Sequence, residues 1–132
     1  MELFISDLDG TLLNGNAEVT EFTRDTLNRL MAKGLNFTAA TARTLASAGK
    51  ILSGLDLKLP VILMNGVLIY DMTEKKYVKI NSLSRELCGL IIGLSKELGL
   101  EPFMYSVSDN QLSTRYERLI SPAMESFYNE RR

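Results

Sequence analysis

Apolar residues in this chain come first in short unbroken runs and later at helical spacing, and that change of rhythm outlines the fold. Leu3 to Ser6 is too uniformly apolar for a solvated edge and predicts a buried strand of a parallel sheet. Asn14 to Val19 is a polar loop. A helix is predicted from about Thr20 to Lys33, with Thr20 suited to cap it, Glu21 to its first turn and Gly34 to its stop. Leu27, Leu30 and Met31 form its apolar face. Leu35 to Ala40 predicts a second strand, and Thr44 to Ser53 a second helix with Leu45, Ala48, Ile51 and Leu52 on one side. Val61 to Met64 is a third strand. Asn65-Gly66 then predicts a tight hairpin turn into Val67 to Tyr70, and Tyr77 to Ile80 adds another strand. A β-α-β-α-β order closed by a hairpin is the pattern of an α/β fold on a Rossmann-like parallel sheet.

After Ser82 the rhythm changes. Ser84 to Leu98 predicts an amphipathic helix, with Leu87, Ile91, Leu94 and Leu98 at heptad-like spacing. Strand-like pieces at Pro102 to Val107 and Gln111 to Tyr116 bracket a Ser108-Asp109-Asn110 turn, and Pro122 to Arg132 reads as helical. The predicted boundary separates residues 1–81, an α/β core, from residues 82–132, the beginning of an α+β element whose own core takes Leu87, Ile91 and Leu94.

The 132 residues amount to one ordinary domain, long enough to bury a core. Fifteen basic residues nearly cancel sixteen acidic ones, and no basic stripe or tail appears, which argues against nucleic acid or an anionic membrane as partner. No apolar run is long enough to span a bilayer. Chemistry-bearing residues by position 7 leave no space for a signal peptide, so the expected compartment is the cytoplasm. Cys88 is the single cysteine, so no internal disulfide can form. The absence of histidine excludes a Ser-His-Asp triad, a Cys-His pair and histidine-ligated zinc. A metal here needs oxygen ligands, which suits Mg²⁺.

The candidate chemistry sits directly after the first strand, where Asp7-Leu-Asp9-Gly10-Thr11 places two carboxylates, a flexible glycine and a hydroxyl. The carboxyl ends of strands are where open α/β sheets bind ligands. One carboxylate can attack a phosphoryl group and a second can move the proton, provided that a cation relieves the charge repulsion. Gly10 and the amides after it, from Thr11 on, can cradle phosphate oxygens. The plainer reading is that both aspartates merely cap a loop. A calcium loop counted from Asp7 fails, because Leu12 stands where that loop needs glycine and a strand precedes it. At the end of the second strand, Thr41 can bond a phosphate oxygen or cap the helix that starts near Thr44, and Arg43 offers a charged fork to an anionic substrate. Asn65 can face the same site, form the turn, or do both.

Asp7-Leu-Asp-Gly-Thr-Leu-Leu13, Thr41-Ala-Arg43 and Asn65-Gly66 together resemble the haloacid dehalogenase superfamily of phosphohydrolases, in particular its Cof-type branch. The resemblance implies that residues 1–81 form the first half of that family's core and residues 82–132 the first part of its α+β cap. It implies Asp7 as nucleophile and Asp9 as general acid/base. Mg²⁺ would be held by the Asp7 carboxylate and the Asp9 backbone carbonyl. Thr41 matches the phosphate-binding hydroxyl and Asn65 the third-strand asparagine. Ala42 replaces a usual glycine. The family's later lysine and Gly-Asp-x-x-Asn-Asp run have no counterpart, since no lysine follows Lys96 and no Gly-Asp pair occurs. Lys50, Lys58 and Lys79 read as solvated surface residues. The expected function is Mg²⁺-dependent hydrolysis of a small phosphorylated metabolite. The alternative is a truncated, non-catalytic remnant that binds phosphate or a partner chain. An incomplete core also leaves an open sheet edge, so a homo-oligomer is expected.

Overall fold

The computed structural model describes residues 2–131 and contains seven strands and four helices among them. By its internal contacts the chain divides into Met1–Asn81 and Ser82–Arg132.

In the first unit, strand β1 (Leu3–Ser6) pairs in parallel with β2 (Asn36–Ala39), with Ser6 opposite Ala39. A parallel bridge between Ala40 and Ile62 carries the sheet on to β3 (Val61–Leu63). Strands β4 (Leu68–Asp71) and β5 (Lys76–Ile80) then add on antiparallel. This is the expected α/β fold with a parallel sheet. Helix α1 (Glu21–Ala32) links β1 to β2, and α2 (Leu45–Leu52) links β2 to β3.

Both ends of α1 follow from its sequence. The Thr20 hydroxyl accepts the Thr23 N–H at 3.2 Å, satisfying one of the unpaired donors of the first turn. At the other end Gly34, at φ 102°, lets its own N–H reach the Met31 carbonyl while the Leu35 N–H reaches that of Leu30. These two bonds make the glycine-terminated stop that a residue with a Cβ adopts at a cost. Thr20→Ala should lower stability by about 1 kcal/mol, read as a shift in urea midpoint at unchanged slope.

The core lies between the helices and the sheet. Leu8, Leu52, Val61, Leu63 and Leu68 are its largest wholly enclosed apolar side chains. Among the described residues no buried side-chain nitrogen or oxygen lacks a hydrogen-bond partner. The Thr38 hydroxyl, for example, donates to the Pro60 carbonyl at 2.7 Å.

Two expectations are corrected in this unit, one about burial and one about a turn. Strand β1 pairs only with β2 among the described residues, and Leu3, Phe4 and Ile5 remain 50–55% exposed. Parallel pairing arose as predicted, but the layers that bury such a strand on all sides are not supplied by residues 2–131. The hairpin after β3 also differs. Leu63 opposes Leu68, so the link is four residues long, Met64 to Val67, with Met64, Asn65 and Gly66 all at positive φ. The Val67 N–H bonds to the Met64 carbonyl, and the Asn81 amide donates to the Gly66 carbonyl at 2.8 Å.

The second unit holds α3 (Arg85–Glu97), the hairpin β6 (Met104–Ser108) and β7 (Gln111–Arg115), and α4 (Pro122–Arg131). Asp109 and Asn110, both at positive φ, form a two-residue turn of the kind whose twist suits paired strands. Phe103 stacks on Phe127 at 5.3 Å, and Tyr116 meets Tyr128 edge-on at 4.9 Å, so aromatic rings join the segments flanking the hairpin to α4. The expectation that Leu87, Ile91 and Leu94 form a core is corrected: they are 41–49% exposed, and Leu98 is 72% exposed. Cys88, Ile92 and Ser95 lie on the less exposed side of α3 instead. A unit of about fifty residues has too little interior to enclose both faces of an amphipathic helix. Among the described residues no helix is long and apolar enough to cross a membrane.

Candidate active site

The site is assembled where β1, β2 and β3 end. Alternation along the chain leaving β1 sorts its side chains. Leu8 is wholly buried, while Asp7 and Asp9 on either side of it are exposed. The chain then makes a wide turn, closed by the Leu13 N–H on the Leu8 carbonyl at 3.0 Å, with Gly10 at φ 76° inside it. Gly10 needs its freedom for that conformation alone, because a Cβ there would meet no atom within 4 Å.

Backbone bonds join the three exits to one another. The Ala40 N–H donates to the Ser6 carbonyl at 2.9 Å, the Thr41 N–H to Ile62 at 3.0 Å, and the Asn65 N–H to Thr41 at 3.0 Å. The Met64 N–H reaches the Arg43 carbonyl at 3.1 Å. A single cavity of about 500 Å³ results, lined by Asp7, Asp9, Thr41 and Asn65 together with Ala40, Ala42, Ile62 and Gly66. Four residues named from the sequence therefore meet, although they span 58 positions along the chain, from 7 to 65.

The other three do not line the cavity. Gly10 and Thr11 lie in the turn beyond it. Arg43 turns its guanidinium onto Asp9, with Nε at 2.9 Å from Oδ2 and Nη2 at 2.6 Å from Oδ1. Thr41 does not cap α2. Its hydroxyl accepts the Arg43 N–H at 3.1 Å, and Thr44 occupies the capping position. Lys50, Lys58 and Lys79 are exposed and outside the cavity. The Arg43–Asp9 pair was not foreseen. Its only sequence signal is that both residues follow neighbouring parallel strands by a few positions.

As a donor set, two carboxylates, a buried hydroxyl and an amide are hard oxygen and nitrogen groups suited to a hard cation and a phosphate-like anion. Among the described residues no cluster of three or more acidic, histidine or cysteine side chains occurs. A divalent cation would thus take its protein ligands from the two aspartates and most of its shell from water or substrate, a sparse set of the kind Mg²⁺ accepts.

Fold and site define a class: α/β proteins with paired aspartates at the end of the first parallel strand and a threonine at the end of the second. Residues 4–131 match the family model for haloacid dehalogenase-like hydrolases, and the chain belongs to that family. It is 34% identical over 100 residues to a Bacillus subtilis protein named "Putative phosphatase YxeH", covering 74% of this chain and 37% of that one. It is 33% identical over 108 residues to "Putative phosphatase MG265" of Mycoplasma genitalium, covering 80% and 39%. The crystal structure of a haloacid dehalogenase-like hydrolase from Bacteroides thetaiotaomicron superposes with a TM-score of 0.73 at 23% identity, covering 98% of this chain and 49% of that one. The chain thus spans well under half the length of these two relatives and about half of that structure.

Proposed function

We propose that this chain carries the nucleophile-bearing part of a Mg²⁺-dependent phosphohydrolase that acts on a small phosphorylated metabolite. The observation that carries the reading is the convergence of Asp7, Asp9, Thr41 and Asn65 on one cavity. The names of the two relatives, each beginning "Putative phosphatase", support it.

Asp7 is the group that attacks phosphorus, forming an aspartyl-phosphate and breaking the bond to the leaving oxygen. Asp9 gives that oxygen a proton and later takes one from the attacking water. The Thr41 hydroxyl donates to a phosphate oxygen and Asn65 supplies a second polar contact. Gly10 and Thr11, which do not line the cavity, would reach phosphate oxygens only through the amides of their turn. The Asp7 carboxylate and the Asp9 carbonyl would hold Mg²⁺, which when bound offsets the repulsion between carboxylate and phosphate. The 132 residues hold no counterpart of the family's later lysine and acidic run, so turnover by them alone is expected to be weak. Hydrolysis of p-nitrophenyl phosphate, with and without Mg²⁺, tests the reading against Asp7→Asn.

The half-exposed apolar β1 and the apolar face of α3 support a homo-oligomer. Sedimentation velocity at micromolar concentration should show a dimer or larger species. A monomer across that range would remove this part of the reading.

A further inference from the structure

We infer that Arg43 is a positioning residue for Asp9 rather than an anchor for the substrate, a proposal that rests on the reading of Asp9 as the proton-moving group. Three observations carry it. The guanidinium meets both carboxylate oxygens, Nε with Oδ2 at 2.9 Å and Nη2 with Oδ1 at 2.6 Å. A carboxylate held on both oxygens by a planar fork cannot rotate about its own bond, so its remaining lone pairs keep one direction. Secondly, Asp9 lines the cavity and Arg43 does not. The arginine side chain is also the more enclosed of the two, 26% exposed against 54% for Asp9. Thirdly, Arg43 has a fixed mount. Its N–H donates to the Thr41 hydroxyl and its carbonyl accepts the Met64 N–H, each at 3.1 Å, which ties it between the exits of β2 and β3.

Asp9 needs such a tether. Its residue sits exposed in a turn, next to Gly10 at φ 76°. A proton donor that wanders loses the alignment on which acid–base catalysis depends. Arg43 therefore acts on the phosphoryl group through Asp9, and removing Asp9's charge should remove the influence of Arg43.

The test titrates inorganic phosphate calorimetrically, in Mg²⁺, into wild type, Asp9→Asn, Arg43→Ala and the double variant. In the Asp9→Asn background, removing Arg43 should change the phosphate Kd by less than about twofold, whereas losing a direct charge-assisted contact would weaken it about tenfold or more and overturn the inference. In turnover of p-nitrophenyl phosphate, Arg43→Ala should lower kcat about tenfold, in line with the contribution of a positioned acid or base. Arg43→Lys should recover part of that loss, and Arg43→Ala should add less than about twofold to Asp9→Asn in kcat or KM. Losses that multiply would overturn it. If Arg43→Ala fails to fold, Arg43→Gln carries the same comparisons. A wild type that takes up no phosphate overturns the inference together with the site. An Asp7→Asn variant as fast as wild type overturns the assignment of Asp7 as nucleophile alone, and the phosphate titration still decides the role of Arg43.

Discussion

Under the proposed mechanism, Asp7→Asn is expected to reduce p-nitrophenyl phosphate hydrolysis by about 10³-fold or more, because it replaces the anionic carboxylate assigned to attack phosphorus with a neutral, poorly nucleophilic amide of the same shape. The substitution is clean. Asp7 is exposed at the exit of β1, and the bond made to it there, from the Ser6 hydroxyl at 2.8 Å, falls on its backbone carbonyl. Stability should therefore stay within about 0.5 kcal/mol of the wild type. A loss of rate with an unchanged urea midpoint identifies a chemical role. Equal rates for the two proteins, in Mg²⁺, would reject Asp7 as nucleophile. Hydroxylamine, which cleaves acyl phosphates, gives an independent readout: it should trap a hydroxamate in the wild type and none in the variant.

Leu8→Ala is expected to have the largest effect on folding. Leu8 is wholly enclosed, and emptying such a site costs about 2–5 kcal/mol through lost transfer energy and the cavity left behind. Total stability of a domain is only about 5–15 kcal/mol, and a chain with β1 half uncovered belongs near the lower end. The urea midpoint should fall sharply, or the protein should arrive unfolded by circular dichroism. Leu3→Ala, at a position already 55% exposed, should cost under about 1 kcal/mol and serves as the control. Leu8 also sits between the two aspartates, so its anchor in the core fixes how both leave the strand. At intermediate urea, where part of the Leu8→Ala population is folded, phosphate binding should fall in step with the folded fraction. Unchanged midpoints would show that the turn after β1 is held by something other than this side chain.

Much of this molecule could be read from local chemistry. β1 begins where the apolar run does and ends one residue after it, at Ser6, and α1 stops at Gly34 because the sequence supplies the residue that its last turn requires. Asp7, Asp9, Thr41 and Asn65 were legible because a parallel sheet brings successive strand exits to one edge. What escaped was non-local. The exposure of Leu3 to Ile5 and of Leu87, Ile91 and Leu94 depends on how many layers surround them, which periodicity does not encode. The turn at Asn65-Gly66 was foreseen in the right place but too short. Met64 also adopts positive φ there, its N–H bonded to the Arg43 carbonyl across the sheet. Arg43 was expected to face an anion from outside, and it found one within the chain, 34 residues earlier in Asp9.

The uncovered edge of β1 also bears on how this polypeptide behaves while it is being made and stored. Leu3-Phe-Ile5 offers a row of backbone donors and acceptors beside half-bare apolar side chains. Short strands of that character template further strands of their own kind, and only Glu2 and Ser6 flank this one as polar brakes. Helix α1 and β2 must be synthesised before even one side of it is satisfied. Until then this segment is open to strands of its own kind, and at high expression or on warming it is expected to seed insoluble cross-β material.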